Sequence, residues 1–264
     1  MSDASSHGHS TSPTPDPSPS APWEATGTDR RAIPQRTTGW AARTADLLHS
    51  TGLTPNQVSV GSVIFAAIGA LALVLSGTVE HDGARSVWLI VTVVCIPLRL
   101  LLNMLDGMLA VEKGMHSPTG DLFNEVPDRV ADVLLLAAAG YATRGLWAVD
   151  AGLDWGLFFG WSAAVLALMT AYMRTLGAAN GVGNFFQGPM AKPRRMWVLV
   201  VACLLSLFEP LFGMRGLFLA IALVLIAVGA AVTVGMRWWF VSRALERKAA
   251  PDAAASSSRT RGPA

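Results

Sequence analysis

Six apolar stretches divide this chain: Val58–Gly77, Val87–Leu109, Pro127–Ala142, Gly156–Leu176, Met196–Phe212 and Gly216–Val241. Each approaches the ~20 residues that cross a bilayer core, where only structures that satisfy their own backbone hydrogen bonds persist. One such run can be a helix buried in a large soluble domain; six in succession cannot. The pattern predicts an all-α integral membrane protein with six transmembrane helices. Composition agrees, since 14% of the 264 residues are charged and 52% hydrophobic, whereas soluble domains carry about a quarter charged residues. A net charge of +2 is too slight to indicate a nucleic-acid partner. Cys95 and Cys203 each lie inside an apolar run and read as small packing residues, with no disulfide framework. Trp88, Trp155, Trp197, Trp238 and Trp239 fall near segment ends, as an interfacial belt requires.

Outside these segments the chain changes character. Residues 1–37 are rich in Ser and Pro and lack an apolar signal-peptide core, so a disordered tail is expected there. Residues 38–248 form the expected membrane domain, and 249–264 a second disordered tail. The stretch TTGWAARTADLLHSTGLTPN before the first segment reads as a juxtamembrane amphipathic helix. Its Trp40, Ala41, Ala45, Leu47 and Leu48 would face lipid, while Arg43 and Asp46 reach water. Basic residues set the orientation. Arg30, Arg31, Arg36 and Arg43 precede segment one; Lys192, Arg194 and Arg195 follow segment four; Arg243, Arg247 and Lys248 follow segment six. The opposite connections hold single residues, Arg85, Arg144 and Arg215. The expectation is a multi-pass cell-membrane protein with both termini, and the connection between segments two and three, in the cytoplasm.

That connection carries the chemistry. Asn103, Asp106 and Ala110 share one face of the second segment, and Asp121, Asn124, Glu125, Asp128 and Asp132 lie within about a third of the circumference of the third. Polar groups at membrane depth need a partner, a watery cavity or a function. Crowded carboxylates and amides are hard oxygen ligands, suited to Mg²⁺ or Mn²⁺. Gly107 and Ala110 leave the helix surface bare beside Asp106, open to a flat or phosphate-bearing ligand.

These residues resemble the CDP-alcohol phosphotransferases, whose second and third transmembrane helices carry D-x2-D-G-x2-A-R-x8-G-x3-D-x3-D. Here the pattern reads Asn103, Asp106, Gly107, Ala110, Val111, Gly120, Asn124 and Asp128, with the spacing kept throughout. The wider resemblance runs from about Leu53 to Arg247 and includes LTPNQVS, AYMRTLG and MAKPRR. Three positions depart from the pattern: Asn103 and Asn124 replace acids, and Val111 replaces Arg. The resemblance implies a membrane enzyme of phospholipid biosynthesis that transfers a phosphatidyl or similar group from a CDP-linked donor such as CDP-diacylglycerol to an alcohol acceptor, releasing CMP. It implies Asp106 as a metal ligand, Asn103 and Asn124 as neutral ligands, and Asp128 as the catalytic base and a further ligand. It also implies Arg174, Lys192 and Arg195 as contacts for an acceptor phosphate, Asn56, Gly107 and Ala110 at the nucleotide, and a homodimer.

Other readings compete. The motif residues can form an interhelical polar network that merely fixes packing. Lys192 and Arg195 are equally explained by positive-inside topology, and Asn56 by a helix cap. The loss of two acids supports a non-catalytic membrane scaffold or lipid-binding protein that keeps the fold. No motif explains Arg99, one turn deeper than Asn103 on the same face. Counting layers down both helices brings it level with Asp132 and predicts a buried ion pair flooring the site.

Overall fold

The structure, a computed structural model, describes residues 50–112, 119–146 and 152–260 together with Arg43, Thr44 and Asp46. Within these, the side chains of 111, 112, 121 and 251–260 lie outside the description. Six long α-helices follow one another: α1 (Pro55–Thr78), α2 (Asp82–Glu112), α3 (Gly120–Ala142), α4 (Trp155–Ala179), α5 (Lys192–Ser206) and α6 (Leu217–Thr260). A short 3-10 turn, Glu209–Phe212, separates the last two. The backbone of α6 thus continues through most of the stretch from 249 that was expected as a tail. The N-terminal 1–37 segment lies outside the described residues, as do Trp40, Ala41, Ala45, Leu47 and Leu48 of the expected amphipathic helix; Arg43, Thr44 and Asp46 are helical.

Among the described residues four helices are long and apolar enough to cross a membrane: α1, α2 as far as Ala110, α4, and α6 as far as Ala250, with mean hydropathies of 2.5, 2.1, 1.5 and 2.9. The chain is a multi-pass membrane protein by that measure. The other two helices fall short for separate reasons. α3 carries Asp121, Glu125, Asp128, Arg129 and Asp132 in its first half. α5 is only 15 residues long, about 22 Å. Its segment was expected to run to Phe212, but the helix closes at Ser206 and Pro210 lies in the 3-10 turn beyond it. The third helix extends beyond its apolar run, as the shared face of its acidic residues requires. It starts at Gly120, seven residues before Pro127, so the whole acidic stripe is helical. An apolar run marks what lies in lipid, and a helix can begin a full turn or two outside it.

The bundle is built inside out relative to a soluble domain. Ile64, Leu71, Val94, Trp161, Val165, Leu225 and Trp238 are exposed on its outside, whereas Arg99, Asp106, Asp128, Asp132 and Arg195 are buried. An apolar exterior is what lipid solvates, and buried charge then has to be paired inside. α1 packs along both α2 and α3, while α2 and α3 themselves approach only sparsely. The first helix therefore wedges its neighbours apart and leaves room between them for polar side chains. Local chemistry starts α1 cleanly: Thr54 and Gln57 form a reciprocal capping box with Pro55 in the first turn. The cap is Thr54, so Asn56 is not needed for that role and sits half-buried in the first turn.

On the other side α4 packs on α3 and α6, and α5 on α2 and α6. Small residues make the α3–α4 contact. A Cβ added to Gly160 would stand 2.6 Å from Gly140 Cα, and one on Gly140 would stand 3.0 Å from both Gly156 O and Gly160 Cα. Without a hydrophobic drive between helices in lipid, such backbone-to-backbone approach supplies the packing. Gly160→Leu is therefore expected to force the two helices apart at a cost of at least about 1–3 kcal/mol. Unfolding in detergent should show it; wild-type stability in that variant would mean the contact is looser than described.

Far from the acidic stripe, the short connection after α5 is pinned by one ion pair. Arg85 Nη2 lies 2.6 Å from Glu209 Oε2, and Arg85 Nη1 donates to Ser206 O. The same carboxylate accepts from Gly216 N and Phe218 N and so caps the start of α6. Arg85, expected as a loop cation, is buried.

Candidate active site

The cleft between α2 and α3 collects the motif residues with the start of α5. Asp106, on α2, turns toward α1: Ser59 donates its hydroxyl hydrogen to Asp106 Oδ2 at 2.5 Å. The other oxygen, Oδ1, is buried with no protein partner, and the residue is 3% exposed. A carboxylate oxygen left bare at such depth is costly unless something cationic or protic meets it.

Opposite it lies a closed network. Asn103 Nδ2 donates to Asn124 Oδ1 at 3.5 Å, so Asn103 rather than Asp106 is level with Asn124. Lys192, the first residue of α5, donates from Nζ to Asn103 Oδ1 and pairs with Asp128 Oδ2. Lys192 thereby ties α5 to α2 and α3 at once. Gly107 and Ala110 lie on the same helix as Asp106 and are half-buried beside it.

One turn deeper, the floor is ionic. Arg99 Nη2 lies 2.9 Å from Asp132 Oδ1 and also donates to the Asp128 carbonyl at 3.1 Å. The expected pair is therefore present, although with Asn103 level with Asn124 equal steps bring Arg99 level with Asp128, and its side chain reaches on to Asp132. Asp132 has a second partner that the count missed: Arg195 Nη2 stands 2.5 Å from Asp132 Oδ2, and Arg195 Nη1 donates to Thr170 Oγ1. Arg99 and Arg195 are 0% and 1% exposed, and Asp132 2%. Three helices, α2, α3 and α5, thus meet on one carboxylate. Arg195 belongs to this floor and not to the open cleft, because its charge is already committed in a fully buried position.

Toward the mouth, Arg174 pairs with Glu125 and its guanidinium lies 5.5 Å from the Phe186 ring centroid. Arg129 joins the same carboxylate at 3.3 Å and approaches Asp128 Oδ2 at 3.8 Å. Arg237 of α6 steadies the segment leading to Lys192 by donating to the carbonyls of Thr170, Phe186 and Gln187.

Charge decides what the cleft can hold. From Asp106 down to the floor three carboxylates (Asp106, Asp128, Asp132) face Arg99, Lys192 and Arg195, with Arg129 a fourth cation 3.8 Å from Asp128. Among the described residues no group of three or more His, Cys, Asp or Glu is placed to hold a metal. A divalent ion would have to rely on the bare Asp106 Oδ1, the amide oxygens of Asn103 and Asn124, and Asp128. Those are hard oxygens, and one of them is an orphaned buried anion, so the donor set fits one Mg²⁺ or Mn²⁺.

Sequence reasoning missed Ser59, Arg129 and Thr170. Ser59 and Thr170 were visible only as lone hydroxyls inside apolar segments, a signal that names no partner. Arg129 sits four residues after Glu125, the spacing of a helical ion pair.

No protein-family model matches this chain. Curated relatives nevertheless exist. The chain is 27% identical over 203 residues to a phosphatidylinositol phosphate synthase of Mycobacteroides abscessus, covering 73% of this chain and 79% of that protein. It is 27% identical over 200 residues to the phosphatidylinositol phosphate synthase of Mycobacterium marinum, covering 72% and 74%. A bifunctional IPC transferase and DIPP synthase of Rubrobacter xylanophilus is 30% identical over 173 residues, covering 58% of this chain and 35% of that protein. Among solved structures, the Mycobacterium tuberculosis phosphatidylinositol phosphate synthase PgsA1 with manganese and citrate superimposes at a TM-score of 0.61, with 22% identity over 76% of this chain and 88% of that one. The same enzyme with CDP-DAG bound gives the same score and identity, covering 92% of that chain. This chain therefore has the fold of the phosphatidylinositol phosphate synthases.

Proposed function

We propose that this protein is a CDP-alcohol phosphatidyltransferase of phospholipid biosynthesis, which moves a substituted phosphoryl group from a CDP-linked lipid to an alcohol and releases CMP. The observation that carries it is the buried, unpartnered Asp106 Oδ1 in the cleft where Asn103, Asn124 and Asp128 converge. It is supported by relatives named for phosphatidylinositol phosphate synthesis and by a like-folded enzyme solved with manganese and with CDP-DAG.

In this reading six helices span the bilayer, with both termini and the cleft on the cytoplasmic side and the lipid tails of the donor left in the membrane. Residues 38–248 form the catalytic membrane domain, paired as a homodimer. Asp106, with Asn103, Asn124 and Asp128, would hold Mg²⁺ or Mn²⁺. The ion would supply charge neutralisation on the departing phosphate and help align the attack. Asp128 accepts the proton of the acceptor hydroxyl, which then attacks the β-phosphorus as the bond to CMP breaks. Gly107 and Ala110 let the nucleotide approach the α2 backbone, and Asn56 stands at the entrance of the same cleft. Lys192 and Arg174 are the cations left for an acceptor phosphate; Arg195 serves the floor.

One contact favours a second reading. Lys192 neutralises Asp128, the base, as a non-catalytic lipid-binding module retaining the fold could afford to do. Purified protein incubated with CDP-diacylglycerol, Mn²⁺ or Mg²⁺ and a panel of alcohols separates the two. Metal-dependent CMP release with one of the acceptors supports the transferase; CDP-diacylglycerol binding with no CMP from any acceptor supports the module.

A further inference from the structure

We propose that this site takes a single divalent cation, centred on Asp106, and that the Lys192 ammonium stands in for a second one beside Asp128. The inference rests on the phosphatidyltransferase reading and asks how many ions that reading needs here. Four observations lead to it.

The cleft is divided into an open half and a closed half. Asp106 Oδ1 is buried and bare, while Asp106 Oδ2 is held by Ser59. Asn103 donates to Asn124, and Lys192 joins Asn103 to Asp128. Second, the ammonium sits where ligands converge, touching an amide oxygen from α2 and a carboxylate oxygen from α3. It therefore bridges the two helices as a metal ion between them would. Third, the charge count leaves no room for two dications. Three carboxylates already meet Arg99, Lys192, Arg195 and, at 3.8 Å, Arg129, so a first divalent ion adds to a set with no anionic excess before the donor's pyrophosphate arrives. With acids at 103 and 124 the same set would start two charges lower. Fourth, the Lys192 side chain is 18% exposed and lies against Asp128 at 9%, so solvent screens their interaction weakly.

The two Asn residues and Lys192 then make sense together. Losing two acids removes the charge that a second dication needs, and a lysine on the adjoining helix meets the remaining carboxylate instead. Lysine is a compact point charge able to replace one ion's electrostatic effect, though not its several coordination bonds.

The test counts ions. Full-length protein in detergent or nanodiscs is titrated with Mn²⁺ alone, reading free Mn²⁺ by electron paramagnetic resonance. One Mn²⁺ per wild-type chain is expected, lost in Asp106→Asn. Lys192→Met should bind Mn²⁺ about tenfold or more tightly, because a neighbouring cation is gone and Asp128 keeps only the longer contacts with Arg99 and Arg129. Lys192→Arg, which keeps the charge, should stay near wild type and controls for folding. Adding Asn103→Asp and Asn124→Asp to Lys192→Met should raise the count to two. Two ions per wild-type chain, or a Lys192→Met affinity equal to wild type, would overturn the single-ion proposal and leave the transferase reading standing. No Mn²⁺ bound by the wild type, with or without CDP-diacylglycerol, would overturn both.

Discussion

Asp128→Asn is expected to lower CMP release from CDP-diacylglycerol by about 10²–10⁴-fold, the range that one positioned base contributes. The loss should fall mainly on kcat through the acceptor's proton, and any rise in KM for the donor would report the second role of Asp128 as a ligand of the ion. Asp106→Ala should behave differently. It removes the bare oxygen and the Ser59 contact together, so metal dependence itself should disappear along with turnover. The structure adds one condition to this account. Asp128 is in contact with Lys192 and stands 3.5 Å from Arg99 Nη2, so cations already occupy the side of the carboxylate that an acceptor hydroxyl has to approach. A variant that frees it, Lys192→Met, should therefore alter kcat even though Lys192 touches no reacting atom in this scheme. Undiminished CMP release in Asp128→Asn would remove the residue from the mechanism. Undiminished release in Asp106→Ala would remove the metal site as well.

How much of this was legible beforehand differs from residue to residue. The helix order and the α2–α3 stripes were visible because both rest on local periodicity, which a single segment displays. The Arg99–Asp132 pair was expected from one-turn steps down both helices, but the register of that count was a turn off: Asn103 meets Asn124, and Arg99 meets Asp128 as well as Asp132. The depth of each helix end was not visible. α3 starts at Gly120 and α5 stops at Ser206 because polar turns extend one helix and a Glu-Pro pair ends the other, and neither is written in an apolar run. Partners across the bundle were hidden for another reason. Ser59 meets Asp106 across 47 positions, and Arg195 meets Asp132 across 63. Nothing in the spacing of either residue encodes such distances. Arg195 shows the cost: as a basic residue next to an expected cytoplasmic loop it read as a substrate contact, and only its burial identifies it as part of the floor.

That second arginine changes what should happen when the floor is broken. With Arg99 and Asp132 alone, removing either partner would strand the other and cost about the same. With three members the costs separate. Arg99→Met leaves Asp132 paired to Arg195 at 2.5 Å, so the carboxylate remains compensated. What is lost is the contact with Asp132, the longer one with Asp128 and the bond to the Asp128 carbonyl, for about 1–3 kcal/mol. Asp132→Ala instead leaves Arg195, 1% exposed, with the Thr170 hydroxyl, and Arg99, 0% exposed, with the Asp128 carbonyl and its carboxylate at 3.5 Å. Stranding a single buried charge costs about 3–5 kcal/mol, so this variant should lose at least that much and be hard to obtain folded. Asp132→Asn is the informative intermediate. It keeps an oxygen acceptor but no charge, so it should fall between the other two and report how much of the floor is electrostatic. The measurement is unfolding in detergent across all three variants, read against the wild type. Equal losses in Arg99→Met and Asp132→Ala would mean that Arg195 adds nothing. A loss below about 1 kcal/mol in Asp132→Ala would mean that water already reaches the floor and solvates both arginines.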